Sequence, residues 1–424
     1  MTPPQPPDLA WRPSPEAIRQ AAVRLQSVVV DTPLERDENL SEEYGAEILL
    51  KREDLQPVRS YKIRGAYNKI RSCSDEELAR GVSCASAGNH AQGVAFACRH
   101  LGIHGTIYMP QTAPNQKVER VRAIGRDRVD IVLTGDVYDD TEREALEKSA
   151  ADGSVFVHPF DDPQVIEGQA TVGKEILDDA PGPIDIVFLP VGGGGLAAGV
   201  GSWIKSVSPR TEIIGVEPAG APSMVAAFAA GHVVTLDTID PFTDGAAVRT
   251  VGKRTFAICQ DVLDRVVTVP EGRICSMILR MYNDHGIIVE PAGALAVAAL
   301  EDFRSEVAGK RVVAIVSGGN NDFRRIEEIR ERALIYEGRK HYFIVRFPQR
   351  AGALRQFLNE VLGPHDDITH FQYSKKTDRE RGPAVVGLEL RSREDLEPLM
   401  GRMKALGFFG EYLNEQPDLM RYLV

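Results

Sequence analysis

A chain of 424 residues, 43% hydrophobic and 26% charged, has ordinary globular composition and room for two or three domains at roughly 150 residues each, which excludes a disordered tail protein. No apolar run approaches the roughly 18 residues of a membrane span, so a soluble protein with no membrane partner is expected. The 50 Lys+Arg against 61 Asp+Glu give a formal net charge of −11 with no polybasic block, so nucleic acid is not an expected partner.

The opening stretch, MTPPQPPDLAWRPSP, is Pro-rich and has neither a basic start nor an apolar stretch of about 7–15 residues. It is expected to be a loose arm, ordered only where it docks, and not a secretory signal. From about residue 46 to 320, short apolar or β-branched runs alternate with helical-period stretches. The runs are AEILLK, GVSCASA, GTIYMP, VDIVLTG, SVFVHPF, IDIVFLPV, TEIIGVE and RVVAIVSGG; the helical stretches include 89–101, 116–124, 138–151 and 165–177. Strands apolar throughout and alternating with helices predict parallel sheets covered on both faces, hence an α/β fold.

A charged segment over 323–340 breaks this pattern, and a second order follows: HYFIVRF, AGALRQFLNEVL, DITHFQYS, AVVGLEL and REDLEPLMGRMKALG. Strand, helix, strand, strand, helix over about 80 residues resembles a ferredoxin-like α+β module in one copy. The domains are expected to be 1–338 and 339–424. Cys73, Cys84, Cys98, Cys259 and Cys275 form no Cys-x-x-Cys pair and have no His beside them at ligand spacing. They are expected to be reduced thiols in the cytoplasm, with no metal site.

Two motifs carry chemistry on their own. Lys62 lies in Ser60-Tyr61-Lys62-Ile63-Arg64-Gly65-Ala66, just after Lys51-Arg52-Glu53-Asp54, where a lysine held in a cleft would lose basicity and become available for a Schiff base. On spacing alone it reads first as a surface lysine. Gly192, Gly193, Gly194, Gly195 and Leu196 lie between the strand IDIVFL and a helix, leaving backbone N–H groups open at a helix N-terminus, a cradle for phosphate. The same loop satisfies the loose dinucleotide pattern, with Glu217 about 25 residues on, so a nicotinamide oxidoreductase competes at this point.

S-Y-K-I-R-G-A, S-A-G-N-H-A-Q-G at 86–93, G-G-G-G-L at 192–196 and S-G-G-N at 317–320, in this order, resemble the fold-type II pyridoxal-phosphate enzymes, most closely the biosynthetic threonine dehydratases, also called threonine ammonia-lyases. The resemblance covers nearly the whole chain. It implies a tryptophan synthase β-like, two-lobed catalytic domain with parallel sheets, followed by an ACT-like regulatory domain. It implies β-elimination on L-threonine with pyridoxal 5'-phosphate as cofactor, giving 2-oxobutanoate and ammonia at the start of isoleucine biosynthesis. Within the family, serine dehydratase and threonine synthase remain open, and a non-catalytic amino-acid sensor is the alternative suggested by the tail.

Carried over by residue, Lys62 is implied to hold the cofactor covalently and to act as the catalytic base, and Gly192, Gly193, Gly194, Gly195 and Leu196 to bind its phosphate. Asn89 is implied to hydrogen-bond the ring hydroxyl, as donor or acceptor; on sequence alone it also reads as a helix N-cap. Ser86, Ala87, Gly88, Asn89 and His90 would receive the substrate carboxylate, although His90 taken alone reads as structural. Ser317 would face the pyridine nitrogen, where a neutral hydroxyl makes a milder electron sink than an aspartate and favours elimination.

Ala87 stands where many relatives carry a second serine, which in the serine racemases of this fold reprotonates the α-carbon, so racemisation is disfavoured. Tyr61 stands where Phe is more usual and adds a hydroxyl needing a partner. Glu290 precedes Pro291 at an apolar helix start, good N-terminal chemistry, and the resemblance implies that this acid lies near the site. In the tail, residues 347–354 run from a strand into a helix N-terminus that would take an amino-acid carboxylate; a tight turn explains them equally. The effector expected there is isoleucine, with valine as a second candidate, in a homo-oligomer that is a tetramer or a dimer.

Overall fold

Most of the apolar, β-branched runs become strands, and among the described residues ten strands form before residue 320: β1 Leu34–Arg36, β2 Glu47–Arg52, β3 Val82–Ala85, β4 Gly105–Met109, β5 Val129–Leu133, β6 Val155–Phe156, β7 Ile186–Pro190, β8 Glu212–Pro218, β9 Arg265–Val269 and β10 Arg311–Val316. The computed structural model describes residues 8–373, 380–416, 419 and 423. It divides into two units, Met1–Glu271 with Met281–Asn321, and Gly272–Arg280 with Asp322–Val424.

The first unit has two lobes. One is a six-stranded sheet in the order β1-β2-β10-β7-β8-β9, parallel except for the antiparallel edge pair β1/β2. The other is a fully parallel four-stranded sheet, β5-β4-β3-β6. Each has its own buried core, Val187, Leu189, Val313 and Ile315 among the residues of the first, Ile107, Val82, Val94 and Ile63 among those of the second. The expected helices form over Asn89–Leu101, Asn115–Gly125, Tyr138–Asp152 and Pro163–Asp179.

The strand runs hold with three differences. SVFVHPF yields only Val155–Phe156, because Pro159 has no N–H for a ladder and His158 starts a turn. The short polar LER and the half-buried RVVTV form edge strands that periodicity did not mark. Of the N-terminal arm, residues 1–7 lie outside the described residues; beyond them Arg12 docks on Asp261 at 2.5 Å and on the Ala257 carbonyl at 3.0 Å.

The second unit contains β11 Lys340–Pro348, β12 Asp367–Tyr373, β13 Arg381–Glu389 and β14 Phe409–Tyr412 in the antiparallel order β12-β13-β11-β14. Phe343, Phe347, Phe357, Met403 and Phe408 fill its core. β14, too short to signal in sequence, completes a ferredoxin-like βαββαβ arrangement. Ser374, predicted as the end of β12, lies outside the described residues. Among the described residues no helix is long and apolar enough to cross a membrane.

Candidate active site

The four motifs that carry the resemblance follow the carboxyl ends of parallel-sheet strands, where open α/β sheets bind ligands. β2 ends at Arg52 before the Lys62 segment, β3 at Ala85 before Ser86, β7 at Pro190 before the glycines and β10 at Val316 before Ser317. Ser60 bridges to Gly318, and the Tyr61 N–H donates to the Ser317 carbonyl at 3.2 Å, so two motifs 256 positions apart meet directly.

Lys62 is the first residue of the helix Lys62–Arg71. Its Nζ donates to the Pro159 carbonyl at 2.9 Å and lies 5.5 Å from the Tyr61 ring centroid. Loss of water around the amine lowers its pKa to about 8, with Glu290 pulling weakly the other way. The helix start is pinned by Arg64, fully buried and bidentate to Glu53 at 2.8 and 2.7 Å and to Glu175 at 2.5 and 2.7 Å. Buried Lys51 reaches Glu175 at 2.8 Å and lies 3.7 Å from both Asp31 and Asp179, so the two buried cations are matched by carboxylates.

Sequence reasoning missed the segment that receives Lys62. His158 Nδ1 accepts the N–H groups of Phe160 at 3.2 Å and Asp161 at 2.8 Å, curling the chain so that the Pro159 carbonyl faces the amine. As an acceptor on that nitrogen the ring is neutral, and burial holds its pKa down at about 4. Asp161 then accepts from the N–H groups of Lys253 at 3.1 Å and Thr255 at 2.9 Å. The signal available was a His-Pro followed by two acids, a turn and N-cap pattern.

The glycine loop needs its glycines. A Cβ on Gly193 would lie 2.3 Å from the Phe160 ring, and Gly194 has φ +90°. The Gly193 carbonyl is held by Thr255 Oγ1 at 2.6 Å and by the Gly252 N–H at 3.2 Å. The helix Gly195–Val207 starts here, with buried Leu196 in its first turn, whose N–H groups have no intrahelical partner.

Asn89 opens the helix Asn89–Leu101 but does not cap it. Its Nδ2 donates to Glu290 at 2.5 Å and its Oδ1 accepts from Asn320 at 2.7 Å. Glu290 is buried, and burial raises its pKa to about 7, with the Asp244 charge adding to the rise. It occupies the N-cap position of Pro291–Ala298 without capping that helix. Ser86, Ala87, Gly88 and Asn89 are half-buried, and Ser86 Oγ accepts from the Gly88 N–H at 3.1 Å. His90 turns inward, its Nε2 hydrogen-bonded to the Val157 carbonyl at 2.7 Å, and burial brings its pKa to about 3. Buried Ser317 donates to the Ala292 carbonyl at 3.2 Å.

Glu217 removes the nicotinamide reading. It is buried, and its carboxylate accepts from the N–H groups of Met224 at 2.7 Å and Val225 at 2.8 Å, capping the helix Ser223–Ala230, so it has no freedom to hold a ribose. Among the described residues no group of three His, Cys, Asp or Glu side chains has the geometry to hold a metal ion. A weakly basic lysine, an anion cradle at a helix N-terminus, an amide and a neutral hydroxyl fit pyridoxal phosphate in charge and chemistry.

These features define a pyridoxal-phosphate-dependent enzyme of the two-lobed α/β class. Residues 25–318 match the family described as pyridoxal-phosphate dependent enzyme, and residues 331–423 match the C-terminal regulatory domain of threonine dehydratase. The chain is 53% identical over 407 residues to the biosynthetic L-threonine dehydratase IlvA of Bacillus subtilis, covering 96% of each. Among solved structures, the processed threonine deaminase isoform 2 of Solanum lycopersicum is 43% identical with a TM-score of 0.71, over 76% of this chain and 95% of that one. Maize serine racemase is 31% identical with a TM-score of 0.71, over 77% of this chain and 99% of that one. The chain belongs to the biosynthetic threonine dehydratase family of pyridoxal-phosphate-dependent enzymes.

Proposed function

We propose that the chain converts L-threonine to 2-oxobutanoate and ammonia, supplying isoleucine biosynthesis, with residues 1–338 as the catalytic domain and 339–424 as a regulatory domain that takes isoleucine or valine. The observation that carries the catalytic reading is Lys62, its amine made weakly basic by its surroundings and held by the Pro159 carbonyl. Pyridoxal 5'-phosphate, when bound, supplies the electron sink conjugated with the substrate α-carbon.

The chain's own residues account for the rest. Gly192, Gly193, Gly194, Gly195 and Leu196 anchor the phosphate on backbone N–H groups. Ser86, Ala87, Gly88, Asn89 and His90 receive the substrate carboxylate; His90 contributes its backbone, since its ring is committed to Val157. Lys62 takes the α-proton; with its pKa lowered to about 8, a far larger fraction of the amine is neutral near physiological pH than for an ordinary lysine at 10.5. Ser317 offers a neutral hydroxyl where an aspartate would favour transamination, and Ala87 supplies no acid to return the proton from the opposite face, so elimination prevails over racemisation. We place the enzyme in the cytoplasm as a homo-oligomer, dimer or tetramer.

Release of 2-oxo acid from a panel of L-threonine, L-serine and O-phosphohomoserine, with and without isoleucine, tests this reading. Threonine is expected to give the highest kcat/KM and isoleucine to lower it. A clear preference for serine, or threonine formed from the phosphorylated substrate, would move the chain to another reaction of the same fold.

A further inference from the structure

Asn89 is held at both ends. Its amide has two N–H donors and two lone pairs on Oδ1. On one side Nδ2 donates to Glu290 Oε1 at 2.5 Å; on the other Oδ1 accepts from Asn320 Nδ2 at 2.7 Å. Asn320 cannot turn over, because its Nδ2 also donates to the Val58 carbonyl at 2.8 Å, and a carbonyl only accepts. The chain from Val58 through Asn320 and Asn89 to Glu290 therefore has one direction, set by the Val58 carbonyl, which can only accept.

Glu290 is 5% exposed and stands where an acid would ordinarily cap its own helix, yet the side chain makes no cap bond and reaches Asn89 instead. A buried carboxylate that gives up helix capping is placed for another purpose. Its neighbours Ser317 and Gly318 belong to the S-G-G-N motif, and the Glu290 N–H donates to the Gly318 carbonyl at 3.2 Å.

We propose that Glu290, together with Asn320, is a positioning residue that locks the Asn89 amide so that its remaining N–H, and not its carbonyl, is offered to the ring oxygen of the cofactor. Asn89 is then a donor to that oxygen, which favours the anionic form of the ring hydroxyl. This rests on the reading above in which Asn89 contacts the cofactor. A glutamine at 290 keeps volume and packing but can accept only through a neutral amide oxygen, so the hold on the Asn89 amide is weakened at that end while Asn320 still holds the other.

The test is titration of apoprotein with pyridoxal 5'-phosphate, following the dissociation constant and the absorbance maximum of the bound form. It covers the unaltered chain, Asn89→Ala, Glu290→Gln, Asn320→Ala, and each of the last two combined with Asn89→Ala. Glu290→Gln and Asn320→Ala are each expected to weaken cofactor binding about tenfold, the equivalent of one charge-assisted hydrogen bond, and to shift the absorbance maximum. With Asn89 already replaced, each is expected to add less than about twofold, because contacts acting through one residue are not additive. A full further loss in the Asn89→Ala background would show that Glu290 supports the fold and not the amide, and would overturn the proposal. So would unchanged affinity and spectrum in both single variants. If Asn89→Ala itself changes neither, the reading of Asn89 as a cofactor ligand fails, a result distinct from failure of the positioning role. Asn320→Ala acts on the opposite end of the chain and decides the matter should Glu290→Gln not fold.

Discussion

The Lys62 amine and the Pro159 carbonyl are hydrogen-bonded at 2.9 Å although 97 positions separate them, and this contact sets where the lysine waits when it is free. It joins the start of the helix Lys62–Arg71 to the turn made by His158, whose Phe160 ring packs against the glycine loop. One short segment thus touches both the reactive amine and the phosphate cradle.

That environment predicts a pH dependence. Only the neutral amine attacks an aldehyde, so capture of pyridoxal 5'-phosphate by apoprotein should accelerate as pH rises through about 8 and level off above it, not near the ordinary lysine value of 10.5. His90 and His158, at about 3 and 4, are neutral throughout this range, and Glu290, at about 7, is the neighbouring group that still gains charge on its lower edge. The linkage has a definite sign. Folding depresses this pKa, so the unfolded chain holds the extra proton between about 8 and 10.5, and the lysine's contribution to apoprotein stability is present above that window and lost as pH falls through about 8. Capture rates measured by absorbance from pH 6 to 11 check this; a plateau reached only above pH 10 would mean that water reaches the amine freely.

Arg64 should be the costliest surface-independent position near the site. Arg64→Leu leaves Glu53 without its bidentate partner in a fully buried setting and leaves Glu175 with Lys51 alone. Breaking a buried pair from one side typically costs about 3–5 kcal/mol, far more than the pair's net worth. Arg64→Lys should recover part of this, since an ammonium keeps the charge but cannot span both carboxylates. Denaturant midpoints for the two variants check the order, and a loss below about 1 kcal/mol in Arg64→Leu would show that the carboxylates are neutralised or hydrated instead.

What could be read from sequence was whatever local backbone chemistry demands. Gly194 adopts φ +90° and Gly193 sits against an aromatic ring, so the glycine run was visible as a requirement before any ligand was considered. Alternation of apolar runs with helical periods marked most strands because those strands are buried on both faces, as β7 and β10 are throughout most of their length. RVVTV and FGEY escaped because half-buried edge strands carry weaker patterns. The turn at His158 and the reach of Glu290 away from its own helix also escaped, for a different reason: each is decided by a partner brought close only by the fold. Local rules even favoured the wrong use of Glu290, as an N-terminal acid for its helix.

The tail is expected to hold the regulation. Residues from Lys340 onward build a four-stranded sheet with a core of its own, and none of the catalytic motifs lies there. An effector bound to such a unit acts through a coupling free energy, typically about 1–3 kcal/mol or roughly 5–150-fold in affinity. A chain ending at Gly338 is therefore expected to keep threonine dehydration and to lose inhibition by isoleucine. Rates of 2-oxobutanoate release at rising isoleucine, for the full and shortened chains, check this. Sedimentation of both must accompany the assay, because a changed oligomer would alter sensitivity without any effector site having been removed. If the shortened chain kept the oligomer and the full response to isoleucine, the effector would bind within residues 1–338, and the antiparallel sheet would serve assembly instead of sensing.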